Sequence, residues 1–237
     1  MRKLVGIHSV LEAIKVRPKD ITKLWVKREN KDSVDVNALV KMASAHKIVP
    51  TLVNSSFLDE LSRSHQGVGA EVKSSPELDW NQLVNCENSV IVALDGIEDP
   101  QNLGAILRTC WLLGAQGILI PGSRSASLTP TVQKIACGGA EHIPVEEHPN
   151  LINPLKSLKE MGFWVYGLSE KSKPNIWSVK LPKKIVWVLG SEESGIRSPI
   201  QKSCDEFVSI PQTDAAASLN VSVSAAIAIA ESLRQTL

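Results

Sequence analysis

At 237 residues, 43% hydrophobic and 22% charged, the chain has the make-up of a globular protein of one or two domains. No run approaches the roughly 20 uncharged apolar residues that a membrane helix needs, and MRKLVGIHSVLEAIK is interrupted by Glu12 and Lys15, unlike a secretory leader. A membrane role is excluded, the cytoplasm is the expected location, and a net charge of +1 speaks against indiscriminate coating of nucleic acid.

The charge is unevenly spread. Residues 1–31 hold nine Lys and Arg (Arg2, Lys3, Lys15, Arg17, Lys19, Lys23, Lys27, Arg28, Lys31) against Glu12, Asp20 and Glu29. Such a segment suits phosphate contact or a solvated helix face equally well. From Gly6 to Lys73 the pattern predicts a helix (8–16), a strand (23–26), a helix (36–46), a strand or loop (49–53), a short helix (56–62) and a strand (68–72), together a small α/β unit over residues 1–74. The polar stretch SSPELDWNQLVNCENS, with Pro76 and no sustained periodicity, reads as a linker over 75–87.

Beyond it, from 88 to 237, six short apolar runs alternate with helical segments: SVIVALD (89–95), GILIPG (117–122), HIPVEE (142–147), FWVYGLS (163–169), KIVWVLG (184–190) and EFVSIP (206–211). Continuous apolarity predicts strands covered on both faces, hence a mostly parallel α/β sheet. The final SLNVSVSAAIAIAESLRQ predicts an Ala/Ser-rich helix suited to close packing, either within the chain or against a second copy. The four cysteines lack metal or redox spacing and read as reduced residues, and the five histidines form no tight cluster, so no metal is expected.

Open α/β sheets bind ligands at the carboxyl ends of their strands, which directs attention to three loops. GIEDPQNLGAILRT follows the first apolar run; there Asn102 can cap a helix carrying Arg108, and an arginine within AILRTCWLLGA, read as buried, demands a polar or anionic partner. SEESGIRS, with Gly190 and Gly195 around Glu192 and Glu193, follows the fifth, and QTDAAASLNVS follows the sixth. Neither a dinucleotide GxGxxG nor a GxxxxGK[ST] phosphate loop is present.

At these loops the chain resembles the SpoU (TrmH) family of RNA 2′-O-ribose methyltransferases, through DGIEDPQNLGAILRT, LGSEESGIR and SIPQTDAAASLNVSVSAA in that order and spacing. GIHSVLEAI (6–14), HQGVGAEV (65–72) and PGSRSASLTPTVQKIACGGAEHIPV (121–145) look like the branch that modifies a guanosine of 23S ribosomal RNA. The resemblance implies a knotted SPOUT-type parallel-sheet catalytic domain preceded by a small α/β ribosomal-protein-like RNA-binding domain. It further implies S-adenosylmethionine as methyl donor, RNA as substrate and a homodimer. General rules of chain topology would not predict the knot.

Position by position, the resemblance gives Asn102, Arg108, Glu192, Ser218 and Asn220 as active-site polar residues. Leu168, Leu189, Gly190, Ile210 and Leu219 are implied around the adenosyl group, and Arg2, His8, His65 and Gln66 are expected RNA contacts; Arg124, which follows another strand end, is read as a further RNA contact or as part of a plain surface loop. Arg108 is expected to bind phosphate and stabilise charge on the ribose oxygen, with a role as base left open. The chain departs from the family pattern at Gln212, Thr213 and Asp214, and at Glu193 and Ser194, where a carboxylate beside the donor loop would alter affinity or face solvent. The competing expectations are a transfer-RNA ribose methyltransferase of the same family and a non-catalytic RNA-binding assembly factor.

Overall fold

The computed structural model describes residues 1–30, 33–214 and 218–237; Lys31 of the basic segment and residues 215–217 of the third loop lie outside the described residues. The chain forms two compact units, one of residues 1–76 with 127–142 and one of residues 77–126 with 143–237.

The first unit runs β1 (Arg2–Val5), α1 (Ile7–Val16), β2 (Ile21–Lys27), α2 (Val34–Ala45), β3 (Pro50–Val53), α3 (Ser55–Asp59) and β4 (Val68–Val72). Its sheet has the order β1-β4-β2-β3, with β4 antiparallel to β1 and β2, and β3 parallel to β2. Val10, Ala13 and Ile14 recur at helical spacing on α1 and pack with Leu4, Leu24, Leu39 and Val68 into one core. Strand β1 goes beyond the elements predicted from sequence: four residues cannot display an alternation.

The second unit begins with α4 (Trp80–Asn85), inside the stretch read as linker, and continues with β5 (Ser89–Asp95), α5 (Pro100–Leu113) and β6 (Gly117–Pro121). The chain then contributes α6 (Pro130–Ile135) and a single 3-10 turn, Gly139–Glu141, to the first unit. There Ser9 Oγ donates to the carbonyl of Gln133 at 3.0 Å, and the buried Glu141 carboxylate pairs with Arg2 at 2.8 Å and with Arg17. The second unit resumes with β7 (Val145–His148), α7 (Ile152–Glu160), β8 (Trp164–Leu168), β9 (Lys184–Gly190), α8 (Ser198–Gln201), β10 (Glu206–Val208) and α9 (Val221–Thr236).

Its six strands are all parallel, in the order β10-β8-β9-β5-β6-β7. Both faces are covered, which explains the continuous apolar runs. Ile91, Ala93, Val186 and Val188 pack with Leu155 and Leu158 of α7, whereas Trp187 donates its indole N–H to Ser232 Oγ of α9 at 2.8 Å. Full burial of a large side chain such as Leu155 is worth about 1.5–3 kcal/mol. Ala225 and Ala228 of α9 are fully buried, their small side chains permitting the close approach of α9 to α5.

Helix α4 is a packed element: Asp79 caps it by accepting from the Gln82 amide at 3.0 Å, Leu78 and Leu83 are buried, and Lys184 Nζ donates to the terminal carbonyls of Leu83 and Val84. All four cysteines are free, and burial pushes the Cys110 thiol up to about 12. Among the described residues no group of His, Cys, Asp and Glu is arranged to hold a metal ion, and no helix is long and apolar enough to cross a membrane.

Candidate functional site

Strands β5, β6 and β7 follow one another toward one edge of the second sheet, while β9, β8 and β10 lie on the other side of β5. The strand order therefore switches between β5 and β9, where parallel sheets open a ligand crevice at the carboxyl ends. Asp95, the last residue of β5, pairs in register with Gly190, the last of β9.

A cavity of about 570 Å³ lies at these strand ends, within the size range of small-molecule sites. Leu168, Leu189, Gly190, Ile210 and Leu219 all line it, as do Glu192 and Ser218. Further walls come from Ile196 and Phe207, and Glu170, Lys171, Glu193 and Gln212 add polar groups. The glycine is sterically required. A Cβ on Gly190 would lie 2.0 Å from the carbonyl carbon of Gly195 and 2.2 Å from the Ile196 nitrogen. The loop folds back that closely because the Gly195 amide donates to the Ser191 carbonyl at 2.8 Å, with Gly195 itself at φ +64°.

Beside the cavity, three side chains from the three loops join in one hydrogen-bonded chain. Asn102 Nδ2 donates to Glu192 Oε1 at 2.7 Å, and Asn102 Oδ1 accepts from Asn220 Nδ2 at 2.9 Å. Asn220 in turn caps α9 by accepting from the Ser222 amide at 2.8 Å and the Ser222 hydroxyl at 2.6 Å. The polarity is self-consistent: a carboxylate only accepts, so the Asn102 amide must present its NH2 to Glu192 and its oxygen to Asn220.

Two expectations for α5 are corrected. The helix is capped by Asp99, whose carboxylate accepts from the Gln101 amide at 2.8 Å ahead of Pro100. Asn102 lies inside the helix, 7% exposed, and its amide is spent on Glu192 and Asn220. Arg108 is exposed and not buried: the helix turns Leu103, Ile106, Leu107 and Cys110 inward and Arg108 falls on the open side.

In the first unit, the Arg2 guanidinium bonds Glu141 and Gln133, its side chain 11% exposed. His65 is buried, Nδ1 accepting from the Gly67 amide at 2.8 Å and Nε2 lying 3.3 Å from Asp59. His8 and Gln66 are exposed, and Gln66 Oε1 accepts from the Ile7 amide at the start of α1. In the second unit Arg124 is exposed, with φ +57°. Gln212, Thr213 and Asp214 are exposed.

Sequence reasoning did not single out Asp95 and Arg197. Asp95 is 0% exposed at its side chain and receives the Arg197 backbone amide at 2.8 Å, Nε at 2.8 Å and Nη2 at 2.5 Å. This hydrogen-bonded partner raises the Arg197 pKa above its ordinary value, against the opposing effect of burial. The signal was a charged residue closing an apolar strand, followed far along the chain by the arginine that ends LGSEESGIR.

A parallel α/β unit with a small-molecule cavity and a polar relay at its switch point, joined to a compact unit of a different sheet type, defines a two-domain ligand-binding architecture of the enzyme kind. Residues 89–230 match the SpoU rRNA Methylase family, and residues 3–78 match the RNA 2′-O ribose methyltransferase substrate-binding family. The chain belongs to the SpoU methylase family. It is 36% identical, over 98% of its length and 96% of the relative's, to the 23S rRNA (guanosine-2′-O-)-methyltransferase RlmB of Pseudomonas aeruginosa. With the RlmB of Pseudomonas putida it shares 33% identity over 99% of its length and 97% of that protein's. In fold it is similar to the SpoU methyltransferase AviRb of Streptomyces viridochromogenes, solved with AdoMet, at a TM-score of 0.84 and 21% identity over 99% of this chain and 89% of that one.

Proposed function

We propose that this protein transfers a methyl group from S-adenosylmethionine to the ribose 2′-hydroxyl of a guanosine in 23S ribosomal RNA. The single observation that carries the reading is the convergence of the second and third loops on one cavity, to which Asn102 of the first loop is tied through Glu192 and Asn220. Near-full-length similarity to enzymes named for that reaction supports the choice of substrate.

The residues present fit the donor. Leu168, Leu189, Ile210 and Leu219 offer an apolar enclosure for a purine, the Cβ-free Gly190 lets backbone close on it, and Glu170, Glu192 and Glu193 offer negative charge to a cationic ligand. Bound there, S-adenosylmethionine supplies a methyl group on a positively charged sulfur. The protein's part is alignment and charge. Arg108, exposed on α5, supplies a permanent cation able to grip the target phosphate and stabilise negative charge growing on the ribose oxygen. A guanidinium is too weak an acid to serve readily as base, so the electrostatic role is the one assigned. Asn102 fixes the Glu192 carboxylate and, through Asn220, the start of α9; Ser218 faces the same cavity.

On the RNA side, His8, Gln66 and Arg124 are the exposed members of the expected contact set, while Arg2 and His65 act by holding their own unit together. The family resemblance further implies a homodimer. A trefoil knot and a cytoplasmic location complete the reading. Light scattering should give twice the mass of one chain.

The function is tested by calorimetry with S-adenosylmethionine followed by tritium transfer from labelled donor to 23S RNA. Donor binding with transfer is expected. RNA binding without any transfer would favour a non-catalytic assembly factor, and transfer to tRNA alone would redirect the substrate.

A further inference from the structure

The loop from Ser191 to Ile196 forms one side of the cavity and carries Glu192 to Asn102. Its internal bonds are few: Gly195 N to the Ser191 carbonyl, Ser194 N to Ser191 Oγ at 3.2 Å, and a hydroxyl contact between Ser191 and Ser194 at 2.8 Å. A six-residue turn with two serines and a glycine does not hold one shape by itself. Both of its ends, however, are fixed to the end of β5. At the near end Gly190 is locked in the ladder opposite Asp95. At the far end Arg197 returns to the same aspartate and delivers three N–H groups to its two oxygens.

Asp95 has no solvent exposure at its side chain, so the carboxylate depends on those three donors. Gln201 adds a tie, donating to the Ile196 carbonyl at 2.6 Å. Neither Asp95 nor Arg197 lines the cavity. Whatever they contribute to chemistry passes through the loop between them.

We propose that Asp95 and Arg197 are a positioning pair that clasps the 191–196 loop shut, setting both the cavity wall and the contact of Glu192 with Asn102. The inference rests on the reading that this cavity receives the methyl donor. Nε and Nη2 of the planar guanidinium converge on Asp95 Oδ1 while the Arg197 backbone amide takes Oδ2, a fixed set of donors that a lysine ammonium cannot reproduce.

The test uses the full-length protein with Arg197→Gln, Arg197→Lys, Glu192→Gln and the double variant Arg197→Gln/Glu192→Gln. Hydrogen exchange without added ligand should show the amides of 191–197 exchanging at least ~10-fold faster in Arg197→Gln, with β5 and β9 unchanged. Affinity for S-adenosylhomocysteine should fall by about 10- to 100-fold, and Arg197→Lys should recover only part of it. At saturating donor, where the wall no longer limits binding, the effect of Arg197 on turnover passes through Glu192, so the double variant should lose no more turnover than the worse single one. Unchanged loop exchange, or turnover losses that multiply, would overturn the proposal. If Arg197→Gln does not fold, Arg197→Lys carries the same comparison, and wild-type-like exchange and affinity there would overturn it equally. Failure of the wild-type protein to bind the donor would remove the functional reading alone, because the exchange measurement decides the clasp without it.

Discussion

Replacing Gly190 with alanine tests the cavity at its tightest point. The added Cβ would sit 2.0 Å from the Gly195 carbonyl carbon, and ordinary contact begins at 3.4 Å, so the 191–196 loop must retreat by about 1.4 Å. The obstacle is backbone, which cannot swing aside as a side chain would. Overpacking of this kind costs about 1–3 kcal/mol. In a unit of this size that is a fall in Tm of roughly 2–4 °C per kcal/mol, leaving the protein folded. The functional effect should be larger, because a ~1 Å misplacement of reacting groups can lower rate about 100-fold. Calorimetry and single-turnover methyl transfer, run beside thermal unfolding, separate the two effects. Donor affinity and transfer within about twofold of wild type would refute the claim that loop closure on Gly190 shapes the donor site.

Arg108→Ala should lower the rate of transfer by about 10²–10³-fold while donor affinity stays nearly unchanged, since the guanidinium faces away from the buried side of α5; calorimetry and single-turnover rates check this. Asn102→Ala removes two hydrogen bonds, one to a carboxylate, and should destabilise by about 1–3 kcal/mol while lowering kcat more than it raises KM, as measured by denaturant titration and steady-state kinetics. In the first unit, burial raises the Glu12 pKa, but hydrogen bonds from Lys15 and His142 outweigh it and hold the carboxyl below its ordinary 4.5. A depressed carboxyl contributes stability that is present above 4.5 and lost as pH falls through its folded value. Glu12→Gln should accordingly flatten the loss of Tm below pH 4.5, read by thermal melts across that range.

Much of this was legible in the residues because parallel sheets write themselves as uninterrupted apolar runs. KIVWVLG became β9 at the residues expected, and SVIVALD became β5. Loops at the carboxyl ends could then be picked out by chemistry, while the five residues that line one cavity with an apolar enclosure came from the family resemblance and not from patterning. Asp99 and Asn102 are both cap-forming residue types three apart, and only the structure shows that Asp99 caps while Asn102 reaches Glu192. Arg108 was misread because an apolar neighbourhood in sequence says nothing of helical phase: Leu107 turns inward and the next residue outward. The Asp95–Arg197 pair spans 102 positions, so no local pattern reveals that the charge closing β5 is buried. Helix α4 was hidden by its polarity, its docking resting on Leu78, Leu83 and the Lys184 cap.

The central claim is ribose methylation of 23S RNA, and the most direct measurement is mass mapping of 2′-O-methyl groups on unmethylated 23S RNA incubated with this protein and S-adenosylmethionine. A single 2′-O-methylguanosine should appear, approaching one per molecule, and be missing from the Arg108→Ala reaction. A methyl group on a base, or no mark from protein that binds both donor and RNA, would contradict that claim.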